Sequence, residues 1–272
     1  MTAAVRRARL DAELVRRGLA RSRGEAADLV ASGRVLVGGV PAHKVASAVA
    51  ADAAVRVVDP PDGQQRWASR GGHKLAHAIE VFGPAGLVVA GRRALDAGAS
   101  TGGFTHVLLH HGAEHVVAVD VGYGQLAWSL QTDERVTVLD RTNVRHLSLE
   151  RIGAPADLVV ADLSFISLLT VLPALQRLAA PAADLVLLVK PQFEVGRESL
   201  GRDGVVRDPA LRRAAVRRVA DAADAAGLGT AGLCASPLPG PAGNVEYVVW
   251  LRADAPNLTD VALDRVIAEG PQ

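Results

Sequence analysis

From residue 93 onward the chain alternates short, nearly unbroken apolar runs with longer segments whose apolar residues recur every three or four positions. The runs at 93–95, 115–119, 136–139, 158–161, 185–189, 230–235 and 247–251 read as strands. The segments at 104–111, 126–130, 167–178 and 209–226 read as helices. Strands this apolar are buried on both faces, the habit of a mostly parallel sheet covered by helices. The pattern predicts an α/β, Rossmann-like, doubly wound sheet of seven strands. The last strand comes after its predecessor through a Pro- and Gly-rich loop instead of a helix, so it is expected to run antiparallel.

Before residue 93 the spacing changes. Leu10, Leu14 and Val15 fall on one helical face, and Gly18 can end that helix. Ser22-Arg23-Gly24-Glu25 has the form of a capping box, opening a second helix through Ala26, Leu29 and Val30 to Gly33. Strands at 35–37 and near 55–58, with a turn at Gly38-Gly39, complete a small α+β module behind a frayed basic tail at 1–8. Residues 59–65 carry two prolines among polar residues and read as a linker. The next helix has Leu75, Ile79 and Phe82 on one face, and Trp67 is expected to pack at the junction. Lys74 lies at the start of that helix, where a cation is unfavourable, so it is either solvated or held by a carboxylate. The domains are expected at 1–58 and 69–272, joined by a linker at 59–68.

Composition narrows the class. The 272 residues are 49% hydrophobic and 22% charged, enough for a real core. A lone cysteine, Cys234, excludes an intramolecular disulfide framework and reads as a small buried apolar residue. No signal-peptide pattern or membrane-length apolar run stands out, so a cytoplasmic protein is expected. The net charge of +1 hides an asymmetry: residues 1–74 hold 13 Lys and Arg against 7 Asp and Glu. On charge alone a polyanion partner and a merely solvated basic surface both remain open.

The stretch Leu95 to Phe104 reads as strand, glycine-rich turn and helix. In doubly wound sheets ligands bind beyond the carboxyl ends of the strands. Asp96 leaves the first strand and Asp120 the second, the latter near the usual separation of a ribose-binding acid. The turn departs from Gly-x-Gly-x-x-Gly and has no P-loop Lys-Ser/Thr. An acid just before the glycine suits a ligand with an amino or cationic centre, such as S-adenosylmethionine, better than a dinucleotide. Asp162, Lys190 and Glu246 stand at the ends of strands that share the same rim. They form either a functional cluster or an ion-pair network closing the sheet.

Two resemblances sharpen this reading. Leu10-Asp11, Leu14, Leu19 through Arg23, Ala26, Val30, Gly33 and Val35 through Gly39 resemble the small RNA-binding domain named after ribosomal protein S-four. That resemblance implies that Arg21, Arg23 and Arg34 face RNA phosphates, binding shape and backbone more than bases. The rest resembles FtsJ-type ribose 2′-O-methyltransferases, a class I methyltransferase fold, and the whole chain is similar to the TlyA family. The motifs are Ser69 through Leu75, Asp96 through Phe104, Asp120 through Trp128, Ala161 through Ser167, Lys190 through Val195 and Ser236 through Glu246. Gln65-Arg66-Trp67-Ala68 departs from the Arg-x-Trp-Val of some relatives, which bears on how the linker couples the domains.

The resemblance implies a catalytic tetrad of Lys74, Asp162, Lys190 and Glu246; Lys190 is the candidate base, with the choice between it and Lys74 left open by the sequence. It implies S-adenosylmethionine across Gly98, Ser100, Thr101, Gly102, Gly103 and Phe104, with Asp96 near its amino group and Asp120 on its ribose. Asp140 and Asn143 are adenine-side candidates. No metal is expected, since His110 and His111 point to different helix faces. The implied substrate is the cytidine 2′-hydroxyl of 16S and 23S rRNA in small and large ribosomal subunits. A monomer with no required protein partner and no membrane is expected. In some relatives the methylation bears on capreomycin-class antibiotics, and some are called haemolysins. The loop at 237–244 is either a wall of the target-nucleotide pocket or a rigid turn. Phe193 is either a base stacker or a core residue.

Overall fold

Leu10 and Leu14, one helical turn apart, are fully buried and seat α1 (Leu10–Arg16) on α2 (Arg23–Ala31) through Ala26, Leu29 and Val30. The structure, a computed structural model, describes residues 7–20, 23–31, 33–58, 67–196, 198, 200–201 and 203–270. It divides into two units, residues 1–70 and 71–272. Arg21, the Ser22 cap and linker residues 59–66 lie outside the described residues.

In the first unit, Gly18 at φ +70° ends the turn after α1. β2 (Val35–Val37) and β3 (Val40–Pro41) form a hairpin across Gly38 and Gly39, at φ +59° and +84°. A two-residue connection that needs positive φ at both positions is glycine's natural place. β5 (Val55–Val57) pairs with β2 on its other side. The expected tail at 1–8 is corrected at its end. Arg7 and Ala8 belong to β1 (Arg7–Arg9), antiparallel to β4 (Ala48–Ala50). Ala8 opposite Val49 gives that ladder its apolar contact, which the surrounding arginines hide in the sequence.

The second unit holds one seven-stranded sheet. α3 (Gly71–Phe82) precedes β6 (Arg93–Ala97), α4 (Gly103–His110), β7 (His115–Val119), α5 (Trp128–Gln131) and β8 (Val136–Leu139). Next come α6 (Leu149–Ile152), β9 (Ala156–Ala161), α7 (Leu168–Leu178) and β10 (Ala179–Val189). α8 (Pro191–Glu194), α9 (Pro209–Ala225), β11 (Gly229–Ala235), β12 (Tyr247–Arg252) and α10 (Asp260–Glu269) complete it. The strand order is β11-β12-β10-β9-β6-β7-β8. As expected, β12 is antiparallel: it pairs that way with both β10 and β11, while β10, β9, β6, β7 and β8 run parallel.

Alternation along the strands separates two cores. Leu95, Ala97, Tyr247, Val249 and Leu251 join the cluster formed with α7, α9 and α10. Trp250 points the other way and stacks on Phe82 of α3, with ring centroids 5.7 Å apart. At the amino end of the strands, buried Asp184 accepts from Trp250 Nε1 at 2.7 Å and pairs with Arg92. One carboxylate thus ties β10 to β12 and to the entry of β6. Breaking a buried pair leaves an uncompensated charge, so Asp184→Ala should cost about 2–4 kcal/mol of stability by urea titration. An unchanged midpoint would show that this junction is not structural.

Candidate active site

The parallel strands end together, and the site is built from the residues just beyond those ends. Val189 pairs with Tyr247, so Lys190 and Glu246 are neighbours just past that pair, on adjacent strands. Leu187 pairs with Ala161, which puts Asp162 beside Leu188 one strand further along. Lys190 Nζ lies 2.6 Å from Asp162 Oδ1 and donates to Ser164 Oγ at 3.0 Å. Lys74, near the start of α3, is held by a carboxylate, as one of the two sequence alternatives required. It pairs with Glu246 Oε2, and both side chains are almost completely buried. The four tetrad residues therefore meet on one rim as two ion pairs. Gly240 is what lets Glu246 sit there, since a Cβ on residue 240 would stand 2.5 Å from Glu246 Oε1.

The turn after β6 is shaped by close approach. Gly98 has φ +88°, and a Cβ there would lie 2.6 Å from the Asp162 carbonyl oxygen. Ser100, at φ +47°, donates its backbone N–H to Asp120 Oδ2 at 2.8 Å, and Gly122 donates to Asp120 Oδ1 at 2.7 Å. Asp120 thereby braces the glycine-rich turn against its own loop while remaining partly exposed. Asp96 is fully buried; Thr105 Oγ1 donates to its Oδ2 at 2.6 Å, and its Oδ1 has no hydrogen-bond partner among the described residues. Burial, with the charges of Asp162 and Asp120 nearby, pushes the Asp96 carboxyl up to about 7.

Other candidates are placed differently. Gly102, Gly103 and Phe104 are buried at the head of α4, and Gly102 accommodates Leu126 and Leu130 from the α5 region. Ser100 is exposed and Thr101 half-buried, so the outer part of the turn is what a ligand reaches. Asp140 accepts from Gly124 N at 2.8 Å, and Asn143 caps a short 3₁₀ turn by accepting from Arg145 N at 3.1 Å. Both shape the wall beyond Asp120. Asn244, 1% exposed, accepts from Val206 N and donates to Gly204 O, so the 237–244 loop is anchored beside Glu246. Arg23 is ion-paired with Asp11 at 3.2 Å, and Arg34 donates to Val58 O at 3.0 Å, so both also serve the fold of the first unit. Arg9 and Arg23 beside Asp11 hold its carboxyl well below the usual carboxylate range.

Sequence reasoning missed Phe165. It is 92% exposed, has φ +64°, and its ring centroid lies 5.5 Å from that of Phe193, itself half-buried. Its signals were its position three residues after Asp162 and its place inside the Ala161 through Ser167 motif.

The model of FtsJ-like methyltransferases matches residues 67–253, and that of the S4 domain matches residues 8–55. The chain is 59% identical over 272 residues to the 16S/23S rRNA (cytidine-2′-O)-methyltransferase TlyA of Mycobacterium tuberculosis, covering 98% of this chain and 99% of that one. The chain belongs to the TlyA family. Another relative is Hemolysin A of Brachyspira hyodysenteriae, 34% identical over 241 residues, covering 88% of this chain and 98% of that one. A solved structure described as a hemolysin from Streptococcus thermophilus superposes with a TM-score of 0.77 at 35% identity, over 98% of this chain and 96% of that one. Among the described residues of this TlyA-family chain, no helix is long and apolar enough to cross a membrane.

The TlyA fold and its FtsJ-like domain imply the use of S-adenosylmethionine. The residues present fit that group. A buried carboxyl with one unpartnered oxygen matches an amino donor, and the turn at Gly98 leaves no side chain in the way.

Asp96 also generates a test on the free protein. Its folded-state pKa is raised, so between about pH 4 and 7 the folded chain binds more protons than the unfolded chain, and this carboxyl's contribution to stability is lost as pH rises through that window. Asp96→Asn should flatten that slope in thermal melts across pH; an unaltered slope contradicts the assignment.

Proposed function

We propose that this chain transfers a methyl group from S-adenosylmethionine to the ribose 2′-hydroxyl of cytidines in 16S and 23S rRNA, within ribosomal subunits in the cytoplasm, acting as a monomer. The observation that carries the reading is the pair of adjacent ion pairs, Lys190–Asp162 and Lys74–Glu246, over the braced glycine turn. The 59% identity to a protein named for this reaction supports it. In this reading residues 1–58, with the S4 match, grip RNA through arginines including Arg21, Arg23 and Arg34. Residues 59–68 link them to a catalytic domain at 69–272.

The bound donor supplies an electrophilic methyl group. The chain's own residues do the rest. Asp96, through its open oxygen, would hold the amino group of the donor, and Asp120, braced by Ser100 and Gly122, would hold its ribose hydroxyls. Lys190, oriented by Asp162 and Ser164, faces the target hydroxyl, which is a poor nucleophile until its proton leaves. That step requires the neutral amine. Asp162, with 21% of its side chain exposed, is the group through which Lys190 passes its own proton to water. Glu246 Oε1 has no hydrogen-bond partner among the described residues and offers an acceptor to the nucleotide, while Lys74 compensates its charge. Positioning two reactants in line supplies much of the rate. Phe165 presents a face on which the target base stacks.

The test is transfer of tritiated methyl from S-adenosylmethionine to isolated small and large subunits, with the label mapped by nuclease digestion. Wild type should label cytidine ribose. Lys190→Ala should lose roughly 10²–10⁴-fold in rate while calorimetry shows the cofactor still bound. Asp120→Ala should weaken cofactor binding by roughly 10–100-fold, the worth of charge-assisted hydrogen bonds. Normal turnover in Lys190→Ala, or label confined to the bases, contradicts the reading.

A further inference from the structure

Glu194 is a buried acid that the proposed methyl transfer leaves without a role. It ends α8, the short helix opened by Lys190, and is 4% exposed. Its Oε2 accepts from Ser167 Oγ at 2.5 Å and its Oε1 accepts from Leu168 N at 2.7 Å. Both partners belong to the segment that runs from Asp162 into α7. The Glu194 carbonyl is fixed in turn by Arg218 Nη1 of α9 at 2.7 Å. Burial pushes the Glu194 carboxyl up from its ordinary value.

The segment so gripped is strained. Phe165 holds φ +64°, a region unfavourable to a bulky side chain that persists only where the surroundings over-determine it. Its own packing cannot supply that, since the residue is 92% exposed. The determinants lie at the ends of the loop. At one end Lys190 holds Asp162 and Ser164; at the other Glu194 holds Ser167 and Leu168; between them Phe193 meets Phe165. All three gripping residues come from the five-residue stretch 190–194.

We propose that Glu194 is a positioning residue for methyl transfer, clamping the 162–168 loop to α8 so that Asp162 stays in register with Lys190 and Phe165 is presented to the target nucleotide. The inference rests on the methyl-transfer reading. A shift of about 1 Å in a reacting group can cost roughly a hundredfold in rate, so a clamp outside the chemistry has leverage on it.

The experiment is a steady-state comparison of wild type, Glu194→Ala, Glu194→Gln, Phe165→Ala and the Glu194→Ala/Phe165→Ala double variant on ribosomal subunits, with S-adenosylhomocysteine affinity measured by calorimetry. Glu194→Ala should lower kcat by roughly 10–100-fold with the S-adenosylhomocysteine affinity unchanged within about twofold. Glu194→Gln, which keeps an oxygen for Leu168 N and a polar group for Ser167, should recover most of that loss. The double variant should be little worse than the poorer single variant, because both act through one loop. Wild-type kcat in Glu194→Ala, failure of Gln to rescue, or additive losses would overturn the proposal. If Glu194→Ala does not fold, Ser167→Ala carries the test, with unchanged kcat as the overturning result. A wild type that labels no ribose sinks the methyl-transfer reading itself; an active wild type with an equally active Glu194→Ala sinks only the clamp.

Discussion

Buried charge is tolerated in a protein only when it is paired, and here two ion pairs, with Lys74, Lys190 and Glu246 buried and Asp162 partly exposed, occupy the carboxyl rim of a sheet whose interior is almost wholly apolar. Lys190 with Asp162 and Lys74 with Glu246 bring together residues from three strand ends and a helix that are far apart in sequence. The parallel strands β9 and β10 and the antiparallel β12 set their register, since Val189 opposite Tyr247 makes Lys190 and Glu246 neighbours. Ion pairs of this kind add little net stability over apolar replacements, which is why the proposed function gives these two a chemical role. At the opposite end of the sheet, Asp184 with Trp250 and Arg92 ties β10 to β12 and to the entry of β6.

Around that rim the loops act as braces. Asp120 receives the N–H groups of Ser100 and Gly122, Asp140 receives that of Gly124, and Asn244 ties the 237–244 loop to residues 204–206. Each side chain replaces a backbone partner that irregular chain would otherwise lack. Glycine enters where two chains must nearly touch, at Gly98 against the Asp162 carbonyl and at Gly240 against Glu246. Among the described residues, Asp96 Oδ1 and Glu246 Oε1 at this rim are acceptors without a hydrogen-bond partner, natural places for donors that arrive with ligands.

Much of this was legible in the sequence. The apolar runs located all seven strands of the main sheet, and the missing helix before the last one foretold its antiparallel direction. Lys74 at a helix start demanded a carboxylate or solvent, and Glu246 is that carboxylate. What escaped depends on contacts between residues that carry no local signal. β1 and β4 are three residues each and, unlike the valine-rich β2 and β5, consist of arginine and alanine around single small apolar positions, so no strand signal shows. α10 lies in a polar segment whose apolar face is only Leu263, Val266 and Ile267. Phe165 looked like any loop phenylalanine, because backbone strain cannot be read from residue type. The S-four resemblance implies that Arg23 faces phosphate; its ion pair with Asp11, set by the packing of α1 on α2, carries no local signal in the sequence.

The central claim is that the methyl donor lies between the braced turn and the two ion pairs. A crystal structure of the chain with S-adenosylhomocysteine tests it most directly. The expected result is the ligand amino group within hydrogen-bonding reach of Asp96 Oδ1, its ribose hydroxyls on Asp120, and its sulfur turned toward Lys190. A ligand seated away from that rim, with Asp96 and Asp120 untouched, would contradict it.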